Sequence, residues 1–373
     1  MIQRMIHTIK QDMVLVIAWI LAVLSMLLVH PSKAYLEYID WRSLGILWSL
    51  MIIMQMLQDH AVFEYLGHRL LLRTHFVWQL VAVLVGLCFF SSMFITNDVA
   101  LITFVPFAIM LLKQCKKEDN IIMVVVLQTI AANLGSMMMP VGNPQNLYLF
   151  GLQDMTVWEF VQLMLPYAAV SLGLILITML FVRGKSDSID IELEQARGIG
   201  SRKVVVIYLM LFVLALLTVA RIIPFCILVV MVLAVTLICD AGVIRKVDYG
   251  LLMTFVGFFL FTGNLGRYAP VREFLQTMVD GHELMAGIAV SQVISNVPAA
   301  LLLSKFTSDI PALIISVNLG GLGTLIASMA SLISFKLYAR TTGAKKASYM
   351  AMFTVVSIVY LLVLCGLFRW IRG

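Results

Sequence analysis

The stretches SMFITNDVA (92–100) and SQVISNVPA (291–299) decide the fold of this chain. Both follow the pattern Ser-x-x-Ile-(Thr or Ser)-Asn-x-x-Ala, and their first residues are 199 positions apart. A second match, 185 positions apart, aligns Asn133-Leu134-Gly135 and Asn146-Leu147 with Asn318-Leu319-Gly320 and Ser331-Leu332. Two polar patches repeated in the same order predict an internal repeat with a site between its halves.

The composition predicts a membrane protein. The chain is 62% hydrophobic and 12% charged, whereas about 25% charged residues is typical of soluble domains. A membrane-spanning helix needs about 20 apolar residues, and most of the uncharged stretches approach that length. We therefore expect an all-α polytopic protein that lies in the lipid bilayer. The stretches are 13–29, 43–58, 99–112, 121–153, 160–182, 204–220, 222–239, 249–266, 284–304, 310–335 and 347–368.

Other classes of protein fit the sequence poorly. No small-residue cleavage site follows the stretch 13–29, so we expect an uncleaved first span rather than a signal peptide. Neither an H-E-x-x-H motif nor paired carboxylates occur in the apolar stretches, so we expect neither an enzyme nor a metal centre. The net charge of +6 is expected to lie in cytoplasmic loops and not on a nucleic-acid surface.

Basic residues orient the chain. With the N-terminus in the cytoplasm, cytoplasmic loops collect 18 of the 26 Lys and Arg residues, in line with the positive-inside bias. The C-terminus is then expected outside the cell. The protein is expected in the plasma membrane of a prokaryotic cell. The 18 residues are Arg4, Lys10, Arg69, Arg73, Lys113, Lys116, Lys117, Arg183, Lys185, Arg197, Arg202, Lys203, Arg245, Lys246, Lys336, Arg340, Lys345 and Lys346.

The same count requires that two stretches enter and leave the membrane on one side. If 284–304 were a full span, the four basic residues at 336–346 would be stranded outside against the bias. We therefore predict re-entrant hairpins at 76–112, opening inward, and at 284–304, opening outward. For 76–112, two full spans are also permitted.

Each half also contains a long stretch with a predicted break. As one helix, 121–153 would extend for roughly 50 Å, but the Pro, Gly and Asn residues at 140–146 predict an unwound middle. Its counterpart, 310–335, has three glycines within four positions. We expect two inverted-topology repeats, each with a re-entrant hairpin and a broken transmembrane helix. The first repeat, the cytoplasmic linker with its connecting span, and the second repeat are 1–182, 183–221 and 222–373.

Four motifs resemble the ion transporter superfamily: SMFITNDVALITFVP, MPVGNPQNL, ISNVPAALL and NLGGLGTLIAS. That superfamily includes sodium-coupled di- and tricarboxylate symporters, citrate permeases and arsenite-efflux permeases. The resemblance extends in order over nearly the whole chain. It implies a homodimer with an elevator mechanism, a small-molecule anion as substrate, and Na⁺ or H⁺ as coupling cation with no other cofactor.

The resemblance also implies which residues form the site. Hydroxyl and amide groups at the hairpin tips bind the substrate, and tip and broken-helix carbonyls bind the cation. The implied substrate-binding residues are Thr96, Asn97, Asn143, Ser295, Asn296 and Thr324. The implied cation-binding or coupling residues are Asn97, Asp98, Gly142, Asn296, Gly323 and Ala327.

The chain departs from the dicarboxylate pattern at the third position of each tip. Asp98 and Val297 stand where that pattern has threonine, and the Asn-Asp pair is more similar to the arsenite and sodium/proton branches. A carboxylate in an apolar stretch usually marks an ion or proton path, although Asp98 also suits a helix cap. We expect cation-coupled transport of a small anion; the alternative is a cation/proton antiporter or an arsenite-type efflux permease.

Other features have structural alternatives. Asn97 and Asn296 also suit helix capping alone, and the glycines of 320–323 suit close packing between helices. Asn264 is as well suited to an interhelical hydrogen bond as to a ligand. The amphipathic segments 58–73 and 267–283 are expected to lie in the membrane interface and to join a static scaffold to a moving hairpin unit.

Overall fold

The computed structural model describes residues 13–71, 74–189 and 198–372. In these residues the only β pairing is an isolated bridge between Phe76 and Ser188. Eight helices in them are long and apolar enough to cross a membrane, or nine if one bent pair counts as a span. The predicted all-α polytopic class is therefore confirmed.

Nine helices lie before residue 183, and nine lie after residue 198 in the described residues. The first nine are α1 Met13–Ser25, α2 Tyr35–Tyr38, α3 Trp41–Asp59, α4 Val62–Leu71, α5 Val77–Ile95, α6 Asn97–Gln114, α7 Ile121–Ser136, α8 Pro144–Gly151 and α9 Val157–Met179. The others are α10 Arg202–Val219, α11 Phe225–Asp240, α12 Tyr249–Arg267, α13 Ala269–Val279, α14 Glu283–Ile294, α15 Asn296–Leu303, α16 Ile310–Leu319, α17 Met329–Ala339 and α18 Lys346–Arg372. Short 3₁₀ turns occupy Glu118–Asn120, Ala241–Lys246 and Leu325–Ala327.

Helix α1 ends at Ser25, before the end of the first apolar stretch. Helix α1 has 13 described residues, which is about 20 Å of helix, and it packs against α12 through its buried alanines. Asn264 of α12 donates hydrogen bonds to Ser25 Oγ and Tyr35 OH, both at 2.9 Å. Of the two alternatives for Asn264, the structure therefore has the interhelical hydrogen bond.

The two hairpins differ in size. In the first, α5 and α6 have 19 and 18 residues, so each is long enough to span the bilayer. In the second, α14 and α15 have 12 and 8 residues, or about 18 and 12 Å, which is too short to span. The return arm after the tip accounts for most of the difference.

Both long stretches are interrupted. Helix α7 ends at Ser136, and α8 begins at Pro144. Helix α16 ends at Leu319, and α17 begins at Met329. The span that contains α7 is the most enclosed of the candidate spans, because 83% of its 18-residue apolar segment is buried. Polar groups at its broken end therefore lie inside the protein.

The amphipathic segments form helices next to the hairpins. Helix α4 bends by 54° from α3, at Ala61, whose φ is +56°. Helix α13 leaves Phe274 and Met278 exposed. Exposed apolar residues on a short amphipathic helix suit a position in the headgroup region of a bilayer.

Candidate functional site

The two hairpin tips share an unusual backbone conformation. Thr96 has φ 68° and ψ 150°, and Ser295 has φ 75° and ψ 154°. This region is essentially restricted to glycine and costs about 1–3 kcal/mol for other residues, so it persists only where the surroundings impose it. Each residue is both the last cap of one helix and the first cap of the next. In each hairpin, the chain therefore turns from one helix into the next at a single strained residue.

The first tip is bonded to the first broken helix. Asn97 is buried, and its Nδ2 donates to Asn133 Oδ1 at 3.1 Å. Its Oδ1 accepts from the backbone N–H of Asp98 at 3.0 Å. One carboxylate oxygen of Asp98 is buried without a hydrogen-bond partner among the described residues. Asn97 thus combines a hydrogen bond to the next residue with a tertiary contact, whereas Asp98 retains an unused acceptor.

The second tip has different chemistry. Ser295 Oγ donates to the carbonyl of Ala327 at 3.4 Å. The amide nitrogen of buried Asn296 lies so close to Gly321 that a Cβ there would come within 2.9 Å of it. Val297, at the position matching Asp98, is buried and apolar. The two tips are alike in backbone and unlike in charge.

Asn133, at the broken end of α7, is held by the opposite half of the chain. Its Oδ1 accepts from Ser328 Oγ at 3.0 Å, and its Nδ2 donates to Ser331 Oγ at 2.9 Å. All three residues are buried. Ser328 immediately precedes α17, so the end of α7 is joined to the start of α17 in the second half of the chain.

Asn318, at the broken end of α16, makes the reciprocal contacts. Its Oδ1 accepts from Asn143 Nδ2 at 3.0 Å, and its Nδ2 donates to Asn146 Oδ1 at 2.6 Å. Asn318, Asn143 and Asn146 match Asn133, Ser328 and Ser331 at the separation of 185 residues found in the sequence. We call these six residues the amide crossing. At each break, the asparagine at the helix end is hydrogen-bonded to residues from the other half of the chain. In both sets its Oδ1 accepts one bond and its Nδ2 donates the other.

Glycines let each hairpin approach its broken helix. A Cβ at Gly135 would lie 2.7 Å from Ser92 Oγ, and a Cβ at Gly320 would lie 2.6 Å from Ser291 Oγ. These are matched pairs in the two halves, and both spaces are too small for a methyl group. Gly320 is therefore a close-packing residue, whereas Gly323, with φ +103°, is needed for a turn.

The other predicted site residues have varied surroundings. Asn143 is the N-cap of α8, because its Oδ1 accepts from the N–H of Asn146 at 2.9 Å. Gly142 abuts the backbone of Ser136 with no room for a Cβ. Thr324 is exposed at the mouth of the second break, and Ala327 contributes its carbonyl to the second tip.

Two glutamines were not predicted. Gln292 in α14 donates to the carbonyls of Gly320 at 3.0 Å and Leu322 at 2.9 Å, and it accepts from the N–H of Thr324. Gln128 in α7 donates to one carbonyl in each arm of the first hairpin, both at 3.2 Å. Both are amides in uncharged stretches, which is a signal that the repeat comparison misses because neither residue is duplicated.

The base of the second hairpin is closed by hydrogen bonds outside the spanning segments. Asp280 accepts from the Oγ and N–H of Ser308 at 2.7 and 3.1 Å. These bonds hold the pKa of the Asp280 carboxyl below its usual value. Thr307 Oγ1 donates to Glu283 at 2.6 Å. The two ends of the hairpin are thus clasped together.

Arg221 connects two parts of the molecule that are distant in sequence. It lies between α10 and α11 with φ +64°. Its guanidinium donates to the carbonyls of Phe150 and Gly151 at 3.3 Å and to that of Gln153. It also forms an ion pair with Asp154 at 2.7 Å. The C-terminal carbonyls of α8 are therefore capped from another helix pair.

Comparison with known proteins identifies the family. A family model described as "Citrate transporter" matches residues 2–311. The chain belongs to the citrate transporter family. This match includes both hairpins and the first broken helix, α7 with α8, and it ends before the second break. The family and its relatives indicate a membrane transporter rather than an enzyme.

Two relatives align over most of their length with this member of the citrate transporter family. An uncharacterized transporter of Methanocaldococcus jannaschii is 28% identical over 338 residues, which is 90% of this chain and 91% of that protein. The inner membrane protein YbiR of Escherichia coli is 28% identical over 318 residues, or 84% of each chain.

Proposed function

We propose that this citrate transporter family member is a secondary active transporter that couples Na⁺ or H⁺ to the movement of a small di- or tricarboxylate. The amide crossing beneath two strained tips is the observation that carries the proposal. A structural bundle has no need for polar groups, helix ends and backbone strain at one buried place, because each costs free energy. A site that binds ions between moving parts does need these features.

The proposed anion site uses the tips. Helices α6 and α15 begin at Asn97 and Asn296, and helix N-termini favour anions through their free N–H groups and dipoles. The hydroxyls of Thr96 and Ser295 and the exposed Thr324 would add donors for carboxylate oxygens. Asn143 would act indirectly, by holding the N-terminus of α8 beside them.

The proposed cation site belongs to the first half. Asp98 supplies a buried carboxylate oxygen that lacks a hydrogen-bond partner among the described residues, and oxygen ligands suit Na⁺. In the second half, Gln292 already occupies the carbonyls of Gly320 and Leu322. This difference favours coupling at Asp98 and Gly142 over coupling at Gly323 and Ala327.

The proposed motion is alternating access by an elevator. The moving unit would comprise the two hairpins and both broken helices, and the remaining spans would form the scaffold of a homodimer. The proposal also includes the inverted repeats, a cytoplasmic N-terminus and an outer C-terminus. Helices α4 and α13, which flank the hairpins, would join the unit to the scaffold.

Transport by purified protein in proteoliposomes tests the proposal. Labelled citrate uptake would be measured with an inward Na⁺ gradient, with an inward H⁺ gradient, and with neither. We expect accumulation of citrate, or of another di- or tricarboxylate that competes with it, under one of the two gradients. The absence of gradient-driven accumulation across a panel of such anions would contradict the proposal.

The unpaired oxygen of Asp98 also favours a second candidate, a cation/proton antiporter. Such a protein would exchange H⁺ for Na⁺ through Asp98 without an organic substrate. A pH-sensitive dye inside the vesicles distinguishes the two functions. Antiport gives an internal pH change on addition of Na⁺ alone, whereas symport gives a response only when the anion is present.

A further inference from the structure

A cavity of about 580 Å³ lies at the membrane face that carries the basic loops, away from the amide crossing. It is lined by the end of α6, the start of α7, the end of α9 and the loop that leads into α18. Asn133 is 12 residues beyond Ile121 at the start of α7, or about 18 Å of helix. The cavity is therefore separate from the proposed transport site.

Three basic side chains line this cavity without a carboxylate partner. Lys113, Arg183 and Lys345 contribute to its wall, and none of them belongs to an ion pair in the described part of the chain. The ion pairs there are Lys117–Asp187, Arg221–Asp154, Lys246–Asp59 and Arg372–Asp309. Positive charges gathered around a concave surface raise the local concentration of anions.

The position of Arg183 is fixed by the protein. Asn120 is 3% exposed, and its side chain donates to the carbonyl of Arg183 at 2.9 Å and accepts from its N–H at 3.2 Å. The first turn of α18 also lines the cavity, and the hydroxyls of Thr342 and Ser348 add hydrogen-bond donors. Free N–H groups and hydroxyls are typical ligands of phosphate oxygens.

The acidic residues limit the charge of the ligand. Glu118 and Asp119 also line the cavity, and like-charge repulsion disfavours an anion with several charges. A phosphodiester carries one negative charge, whereas a tricarboxylate carries more. The balance of charges therefore fits a phosphodiester better than the anion proposed for the transport site.

The walls continue into a lipid-facing surface. Phe181 and Met352 line the cavity, and Phe181 is 74% exposed. From Met352, the exposed Val355, Val359 and Leu362 follow one face of α18 at helical spacing. Acyl chains could lie along this face while a headgroup occupies the cavity.

We propose that this cavity binds the phosphate of a phospholipid headgroup, with Lys113, Arg183 and Lys345 as its cationic ligands. Bound lipid stabilises the junction of α6, α7, α9 and α18. Basic pockets between the ends of membrane helices are known to suit such headgroups. The site is independent of the transported anion.

Thermal unfolding of the purified full-length protein in detergent tests this site. Phosphatidylglycerol is expected to raise Tm by roughly 3 °C or more, whereas diacylglycerol with the same acyl chains is expected to leave it unchanged. The double variant Arg183→Gln/Lys345→Gln should lose the shift. The matched double variant Lys33→Gln/Lys305→Gln, which removes two exposed charges elsewhere, should keep it.

A second variant and a second ligand complete the test. Ser348→Trp retains every charge but fills the cavity, so it should also lose the shift. Inorganic phosphate is added separately: a shift with phosphate but not with lipid would support the phosphate site and assign it to a soluble ligand. The proposal is overturned if neither ligand shifts the wild type, or if both cavity variants keep the full shift.

Discussion

Asn97 and Asn264 are both buried asparagines that join helices, but they lie in different surroundings. Asn264 bonds to Ser25 and Tyr35 within α1, α2 and α12. Asn97 bonds to Asn133 at a strained tip. The first arrangement suits a scaffold contact, and the second suits a binding site.

Substitution separates these two roles. Asn97→Ala and Asn296→Ala should each lower anion uptake at subsaturating substrate by about ten- to a hundredfold, since a hydrogen bond to a charged group contributes about 1.5–3 kcal/mol. Asn264→Ala should lower Tm and leave the apparent KM unchanged. The measurements are labelled uptake and thermal unfolding. Normal uptake by either tip variant would refute the site assignment.

Asp98 is expected to control coupling and not folding. Its buried oxygen has no hydrogen-bond partner among the described residues, so Asp98→Asn removes charge without breaking a bond at that oxygen. Uptake should then lose its dependence on the Na⁺ or H⁺ gradient while the protein keeps its Tm. The reciprocal change Val297→Asp should not restore coupling. If Asp98→Asn retains full cation dependence, Asp98 has no coupling role.

At the scale of elements, the matched glycines determine how closely the hairpins approach the broken helices. Gly135→Ala and Gly320→Ala should each cost about 1–3 kcal/mol, because an added methyl meets atoms that cannot easily move. Gly86→Ala in α5 is the control: a Cβ there has no heavy atom within 4 Å, and replacing a helical glycine contributes about 0.5–1 kcal/mol. Thermal unfolding of the three variants gives the comparison, and equal Tm values would contradict it.

The tips and breaks could be predicted because each occurs twice. A polar pattern repeated at 92–100 and 291–299 indicates two matched turns, and the prolines and glycines of the long stretches indicate where helices end. The lengths of the hairpin arms could not be predicted as well from the sequence. Helix α1 also ends at Ser25, before its apolar stretch ends at Val29, because hydropathy reports an apolar environment and not the residue at which a helix ends.

Single-copy contacts were not predictable. Gln292 and Arg221 act on backbone carbonyls, which every residue possesses, so no pattern of side chains identifies their partners. The amide crossing is an intermediate case. Asn143 was assigned to the site from its motif, but its bond to Asn318 depends on how two distant breaks meet.

For the whole molecule, the Arg221–Asp154 pair joins the proposed scaffold to the proposed moving unit. Asp154 follows α8, and Arg221 lies between α10 and α11. With the five native cysteines replaced, a bifunctional thiol reagent whose spacer matches the length of the ion pair should link Arg221→Cys to Asp154→Cys and abolish transport. The elevator proposal requires this result, because the unit cannot move while it is linked.

A matched pair provides the control. Lys246 and Asp59 form an ion pair at the same distance, 2.7 Å, and both belong to the proposed scaffold. Lys246→Cys/Asp59→Cys should therefore keep transport after treatment with the same reagent. Mass spectrometry verifies both cross-links, and labelled uptake reports function. Equal transport by the two cross-linked proteins would contradict motion between α8 and the α10–α11 loop.

The amide crossing has a consequence for how the protein is made. During synthesis Asn143 must await Asn318, which is 175 residues later in the chain, and Asn133 must await Ser331, 198 residues later. At about 5–20 residues per second this delay is roughly 10–40 s. For that time Asn133 Nδ2 and Asn146 Oδ1 lack the partners that they have in the complete protein, and an unsatisfied polar group at membrane depth costs free energy. We therefore expect a nascent chain arrested between the two halves to be more susceptible to proteases than the complete protein.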